Sequence, residues 1–480
     1  MKMKKLYKKI LLSIALLCGL ASCDFETENY QQIPIEDAYK TVQDVQNGMN
    51  GAYYALASYR FLGNYAVAYG DFCAGISNGN RSSGHFYYQS AWIISDTDAE
   101  LEDIWNYGYK VIDRCTRTIK GGKEVIKNAE SLFLSDSEIA DVESYIAQCY
   151  AMKALAYHYL VNLFALPYQG NENSLGLPLV KDEPIAEFTD IERATVENTY
   201  AQIKDDLQKA EDTMNEALAK NPKLTLSEFY MGQAAVKALK ARVYMSLGDY
   251  NTAKQAALDA ISLKGKGDGR GDDSTPANEI YLSMWTSLAI TDEDLFTLAK
   301  TEADNLSANA LNTLYGSYGC TLTSETLALY GENDIRLELI NRPSIGKYQG
   351  LPTSAATSNI PVFRKSEMSL ILAEIYARAN DITNAQDYLY YTAKRNKDLT
   401  KSELPDDKDG LLKFISEERI REFAGEGHRF YDARRMGDKI SNIGSTPFDI
   451  QKFVFPIPAA EINAGFCDQQ NEGWENQLPQ

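Results

Sequence analysis

Histidine is scarce in this chain: His85, His158 and His428 are the only three among 480 residues. None stands at the short spacing of an HExxH pair, which removes the usual material for a histidine-ligated metal centre. Nor do the seven cysteines include a CxxC pair, so neither a zinc knot nor a redox motif is offered. Positive charge is in deficit as well. Lysine and arginine number 48 against 67 acids, for a formal charge of −19, and no local basic patch offsets that balance in the body of the chain. Such a surface repels a phosphate backbone and excludes nucleic acid as the natural partner. No apolar run reaches the roughly 20 residues of a membrane-spanning helix, which excludes a multispan membrane protein. What remains is a globular composition, 44% hydrophobic and 24% charged, with ample length for one or more cores.

The longest apolar run opens the chain. Lys2, Lys4, Lys5, Lys8 and Lys9 precede an apolar stretch from Ile10 to Ala21, and a basic front before a short apolar run is the pattern of a signal peptide. The run closes on Leu20-Ala21-Ser22-Cys23, which resembles the lipobox of bacterial lipoproteins. Residues 1–22 are therefore read as a lipoprotein signal peptide, Cys23 as the lipidation site, and residues 23–35 as a lipidated polar tether. Several acyl chains hold a protein on a membrane where a single one does not. Loss of the signal removes five lysines and no acids, moving the charge from −19 to −24. Cys73, Cys115, Cys149, Cys320 and Cys467 then remain, widely spaced and odd in number, and are read as isolated buried thiols.

Apolar residues recur at helical spacing over 36–58, 98–119, 136–166, 195–219 and 227–262, which predicts a mainly helical first half. From Lys237 to Leu263 the pattern resembles a tetratricopeptide repeat. Small Ala241, Tyr244, a Gly248-Asp249-Tyr250 turn, and Ala253, Ala256 and Ala260 would let two helices pack closely. A degenerate second copy runs over 370–396, with Ala373 and Tyr376 in corresponding places and Asp381 at a weaker turn. Two repeats more than a hundred residues apart imply a solenoid interrupted by an insertion, placed at 265–363. The insertion opens on GKGDGRGDDSTP, a solvent loop by composition. Asp268, Asp272 and Asp273 depart from the EF-hand spacing, and no metal is assigned to them. The expected architecture is mainly α: a tetratricopeptide-like helical repeat core with an irregular, loop-rich insertion and a C-terminal cap.

The last third contains ISEERIREFAGEGHRFYDARRMGDKI at 415–440 and FVFPIPAAEINAG at 453–465. With the lipobox, the early NGMNGAYYAL and the interrupted repeats, these resemble the SusD/RagB family of outer-membrane lipoproteins over essentially the whole mature chain. The most specific matches are Glu418-Arg419, Glu422 through Gly427, Arg429 through Asp432, Arg434-Arg435 and Phe455-Pro456-Ile457-Pro458. The family's Gln-Asn-Pro-Gly-Tyr-like ending is here Gln470-Asn471-Glu472-Gly473-Trp474. The resemblance divides the mature chain into a helical repeat region at 36–264 with a ligand loop at 70–96, the insertion, and a C-terminal region at 364–480 that includes the last repeat. It implies a cell-surface glycan-binding lipoprotein on the outer membrane, acting as a lid that delivers its ligand to a SusC-like TonB-dependent transporter. An oligopeptide-binding, RagB-like lid is the alternative.

Read from the residues alone, the signature block is structural, with apolar Ile415, Phe423 and Phe430 near helical spacing and charges placed for ion pairs. Glu422 and Glu426 stand four apart, a commonplace on helices, and a glycosidase reading ranks third because it has no positive sign. No catalytic residue, metal or cofactor is assigned. Aromatic groups are abundant, with 31 tyrosines and 17 phenylalanines, and their faces suit sugar rings or peptide side chains. Leu101, Trp105, Tyr109 and Ile112 form one helical stripe and belong in the core, where Trp474 is also placed. Trp92 and Trp285 lie in irregular segments, where burial and an exposed platform are both open. By the family resemblance the ligand contacts come from the first loop, through Asp71, Asn78, Asn80, Arg81, His85, Tyr87, Tyr88 and Trp92, and from the insertion, through Trp285, Tyr315 and Tyr318. The competing reading is that the loop merely covers the solenoid.

Overall fold

A computed structural model describes residues 38–185, 189, 191–271, 278–341, 344–349, 356–440, 448–467 and 469–478. Cys23 with its tether, and Asp272 and Asp273 of the glycine-aspartate loop, lie outside the described residues. The account below concerns the unit that begins at Tyr39.

Helices begin where side chains can satisfy the free N–H groups of a first turn. Thr41 and Asp44 form a capping box ahead of α1 (Val42–Leu56), and Ser135 and Glu138 do the same for α4 (Asp136–Phe164). Between them lie α2 (Tyr65–Phe72) and α3 (Ala99–Lys127). From Ala140 to Phe164 almost every side chain of α4 is buried, because α3, α1 and α5 (Val196–Lys220) all pack around it. Within the apolar period at 227–262 the expected turn at Gly248-Asp249-Tyr250 parts two helices, α6 (Gln233–Leu247) and α7 (Tyr250–Lys264), and the φ of 76° at Gly248 is a left-handed conformation favouring glycine.

The second repeat is α8 (Lys365–Arg378) with α9 (Ile382–Ala393). Here Asn380 takes the left-handed place of Gly248 at φ 59°, and Asp381 caps α9 through the Asn384 N–H as Asp249 caps α7 through that of Thr252. Ala241, Ala253, Ala260, Ala373 and Ala385 are fully buried at the helix contacts, and Tyr376 stacks on Tyr388 at 5.7 Å.

Helix α8 packs directly on α6 and α7, so the stretch between Lys264 and Lys365 is an excursion from a continuous helical stack. Its base is closed by β2 (Asp294–Leu298) and β4 (Ile360–Arg364), paired antiparallel from Asp294↔Arg364 to Leu298↔Ile360. At its start, Arg270 meets Asp387 of α9 at 3.2 Å and lies over the Tyr388 ring, which fastens that end of the loop to the second repeat. Beyond the stack, α10 (Lys408–Phe423) packs on α8 and α9, and α11 (Arg429–Met436) on α2. Cys73, Cys115, Cys149, Cys320 and Cys467 are free and buried. Among the described residues no helix is long and apolar enough to cross a membrane.

Candidate ligand-binding surface

Two segments remote in sequence meet at this surface. After α2 the chain enters β1 (Ser77–Asn78), which pairs antiparallel with β3 (Thr321–Leu322) of the insertion. Side chains reinforce the junction. The Asn80 amide donates to the Tyr318 carbonyl at 2.7 Å, the Ser83 hydroxyl donates to the same oxygen at 2.9 Å, and Ser77 and Tyr315 share a hydroxyl contact at 2.9 Å. Beneath, Phe72 stacks on both Phe86 and Tyr315. The result is that the His85 ring lies flat on Tyr318, with centroids 3.6 Å apart and planes 13° from parallel.

A short helix, Tyr87–Ser90, continues the rim. It is bracketed by Phe86 at φ 49° and Trp92 at φ 57°, left-handed conformations that bulky residues adopt at a cost and only where their surroundings enforce them. Burial of both rings enforces it. The turn so held presents Tyr87 and Tyr88 edge to face at 5.6 Å, with the Arg81 guanidinium over the Tyr87 ring and Tyr88 56% exposed. Arg81, His85, Tyr87, Tyr88 and Tyr318 are thereby brought together at solvent, with Asn78 and Asn80 half-buried beside them. Ser83 was not singled out in the sequence, since one serine in a polar loop carries no signal of its own.

The other four residues named for ligand contact are interior. Trp92 is 3% exposed, its ring against Phe453 and Phe455, and Tyr315 lies beneath the rim. Asp71 is buried and accepts a hydrogen bond from the Gly425 N–H at 2.7 Å. Desolvation pushes its carboxyl up to about 7. Trp285 is also buried, under the cations Lys347 at 4.9 Å and Arg364 at 5.6 Å from its ring. The two tryptophans whose exposure the sequence left open are thus both core residues.

Those cations belong to a buried network that accounts for the signature block. Glu422 receives Arg336, Arg364 and Arg395 at 2.9–3.3 Å, Glu426 receives Arg364 and Lys347, and Glu418 receives Arg336 and Arg421. Surrounded by guanidinium groups, the Glu422 carboxyl is held well below the usual range despite burial. Arg434 donates to the carbonyls of Asn162, Ala165 and Phe453. The turn at Gly425–Gly427 meets α2 so closely that a Cβ on Gly70 would fall 1.9 Å from the Gly427 carbonyl oxygen. Near the C-terminus the Gln470 amide clamps both backbone groups of Ile457, and Asn471 donates to the carbonyls of Phe164 and Phe455. These contacts join the Phe-Pro-Ile-Pro stretch to the end of α4.

The same block is where a family model, that of the SusD family, matches residues 345–474. A second model, described as starch-binding and associating with the outer membrane, matches residues 26–245. The chain belongs to the SusD/RagB family. Among SusD-like relatives, protein P38 of Formosa agariphila is 23% identical over 92% of this chain and 94% of its own. The likeness to protein P2 of the same organism is 26% over 54% of this chain and spans only 46% of that protein. A SusD superfamily protein of Bacteroides thetaiotaomicron superposes with a TM-score of 0.73 at 25% identity, covering 90% of this chain and 99% of that one. The SusD-like fold also extends to a putative sugar-binding protein of Bacteroides vulgatus, at TM-score 0.78 and 23% identity, covering 91% of this chain and 99% of the other.

Proposed function

We propose that this chain is a cell-surface lipoprotein that captures an oligo- or polysaccharide and, as a lid, delivers it to a SusC-like TonB-dependent transporter of the outer membrane. The observation that carries the reading is the exposed rim of His85 on Tyr318, Arg81 over Tyr87, and Tyr88. It combines flat faces for the C–H faces of sugar rings with a guanidinium and amides for hydroxyl groups. The rim draws on two parts of the chain some 230 residues apart, as a purpose-built surface does and a mere covering loop need not. Support comes from the starch-binding description of the model over residues 26–245 and from the sugar-binding name of a structural neighbour.

Binding rather than hydrolysis is proposed, since Glu422 and Glu426, the carboxylate pair open to suspicion from the sequence, are engaged by buried arginine and lysine. Cys23 would supply the anchor, keeping the lid at high local concentration over its transporter while it opens and closes. With the signal removed, the charge of −24 slows approach of a strongly anionic polysaccharide, which Arg81 offsets only locally. Titration calorimetry against neutral glycans, acidic glycans and oligopeptides tests the reading. The expected result is glycan binding weakened at least tenfold by His85→Ala or Tyr318→Ala, a loss of about 1.4 kcal/mol or more. Binding of peptides alone overturns the glycan assignment, and glycan binding unchanged in both variants overturns the site.

A further inference from the structure

Away from the rim, α4, α6, α8, α10 and α11 leave a cavity of about 40 Å³ between them. A water needs roughly 10–15 Å³ of such space, so it suits one small ion or a few waters. Its charged lining is asymmetric. Arg242, Arg419 and Arg435 face it against Glu367 and Asp432. Arg242 grips Glu367 through two hydrogen bonds of 2.7 Å, while Asp432 is shared, one oxygen taking Arg419 at 2.7 Å and the other Arg435 at 3.2 Å. Arg435 also reaches Glu374, which lies behind the wall. This leaves one buried donor arm, Arg419 Nη1, with no acceptor on a side chain only 4% exposed, and the buried Tyr431 hydroxyl in the same condition.

Burial of a guanidinium nitrogen without an acceptor is costly, and here two buried donors without acceptors belong to residues that line the cavity. We infer that the cavity holds a single small halide, chloride under ordinary conditions, with Arg419 Nη1 and the Tyr431 hydroxyl as donors. Two histidines share the wall. His158 is pushed down to about 3 by burial and then by Arg242. His428 is also driven far below its ordinary range, by burial and then by Arg242 and Arg419 among other cations. Both imidazoles therefore stay neutral, and the positive charge on the wall remains that of the guanidinium groups. An ion held by these two donors ties α10 to α11, an internal tether separate from glycan capture.

Crystals of the protein grown or soaked in bromide provide the direct test through anomalous scattering. A bromide peak in the cavity, within hydrogen-bond reach of Arg419 Nη1, is expected, and its occupancy falls severalfold in Tyr431→Phe, which removes one donor without altering the ion pairs. In solution, chloride raises the melting temperature by about 1–3 °C over gluconate at equal ionic strength, and the difference shrinks in Tyr431→Phe. Arg419→Lys keeps a cation for Asp432 and removes the spare arm, so it should abolish the chloride effect. If that variant fails to fold, the Tyr431→Phe comparison decides alone. Bromide confined to the outer surface, or equal melting in chloride and gluconate, overturns the inference.

Discussion

Trp285 and His85 both sit beside arginine and tyrosine, but their neighbourhoods are built on opposite terms. Around Trp285 the charges are buried, and each guanidinium is held by one or more carboxylates of the signature block, so the cluster tolerates no missing member. Around His85 the polar groups bond mainly to backbone carbonyls and the rings face water, so a side chain can be changed without stranding a buried charge. The contrast separates two kinds of signal in the chain. A dense run of Glu and Arg marks the place where insertion, repeats and C-terminal region are locked together, whereas the proposed ligand rim is written in scattered residues.

The sharpest way to break that contrast is to remove one carboxylate from the buried side. Glu422→Gln leaves Arg336, Arg364 and Arg395 facing a neutral amide, and the expected loss is about 3–5 kcal/mol in urea unfolding. A variant as stable as the parent would show that the network is not the lock described. A somewhat smaller effect is expected at Asp71→Asn, where a carboxyl under the signature turn is raised from 3.8 to about 7 by burial. A group whose folded pKa is raised stabilises the fold in its protonated form, so its contribution is full below pH about 4 and is lost as pH climbs to about 7. The resulting penalty at pH 8 is on the order of 4 kcal/mol. Asparagine keeps an oxygen for the Gly425 N–H and carries no charge. Unfolding free energies at pH 4 and pH 8 should therefore fall less steeply with pH in the variant than in the parent; equal slopes would sink the assignment.

How much of this was legible beforehand follows from the range of the forces involved. The long helices and both repeats were readable because periodicity and turn residues act locally, and the Asn380-Asp381 turn looked weak only because asparagine adopts the left-handed conformation less freely than glycine. Resemblance in the signature block marked its importance, but the partners of Glu422, which come from Arg336, Arg364 and Arg395, depend on a fold no spacing rule supplies. The junction of the first loop with the insertion rests on a pair of two-residue strands more than 240 positions apart, which leave no periodic trace. Trp92 and Trp285 were undecidable for the same reason, since an isolated tryptophan in an irregular segment does not say which side of it will be covered.

The smallest expected effect is on the exposed side, at Tyr88. Tyr88 is 56% exposed and its ring lies edge to face with Tyr87, so Tyr88→Ala should alter unfolding free energy by no more than about 0.5 kcal/mol. If the rim stacks on sugar, that substitution removes part of one platform while His85 and Tyr318 remain, and affinity for the best glycan should fall about threefold to tenfold, or roughly 0.7–1.4 kcal/mol. The informative quantity is the ratio of the two losses, measured on one preparation by calorimetry and denaturation. In the buried network any loss of binding should follow loss of fold. At Tyr88 binding should move while stability stays, and a variant that loses stability but keeps its glycan would reverse the contrast drawn between the two regions.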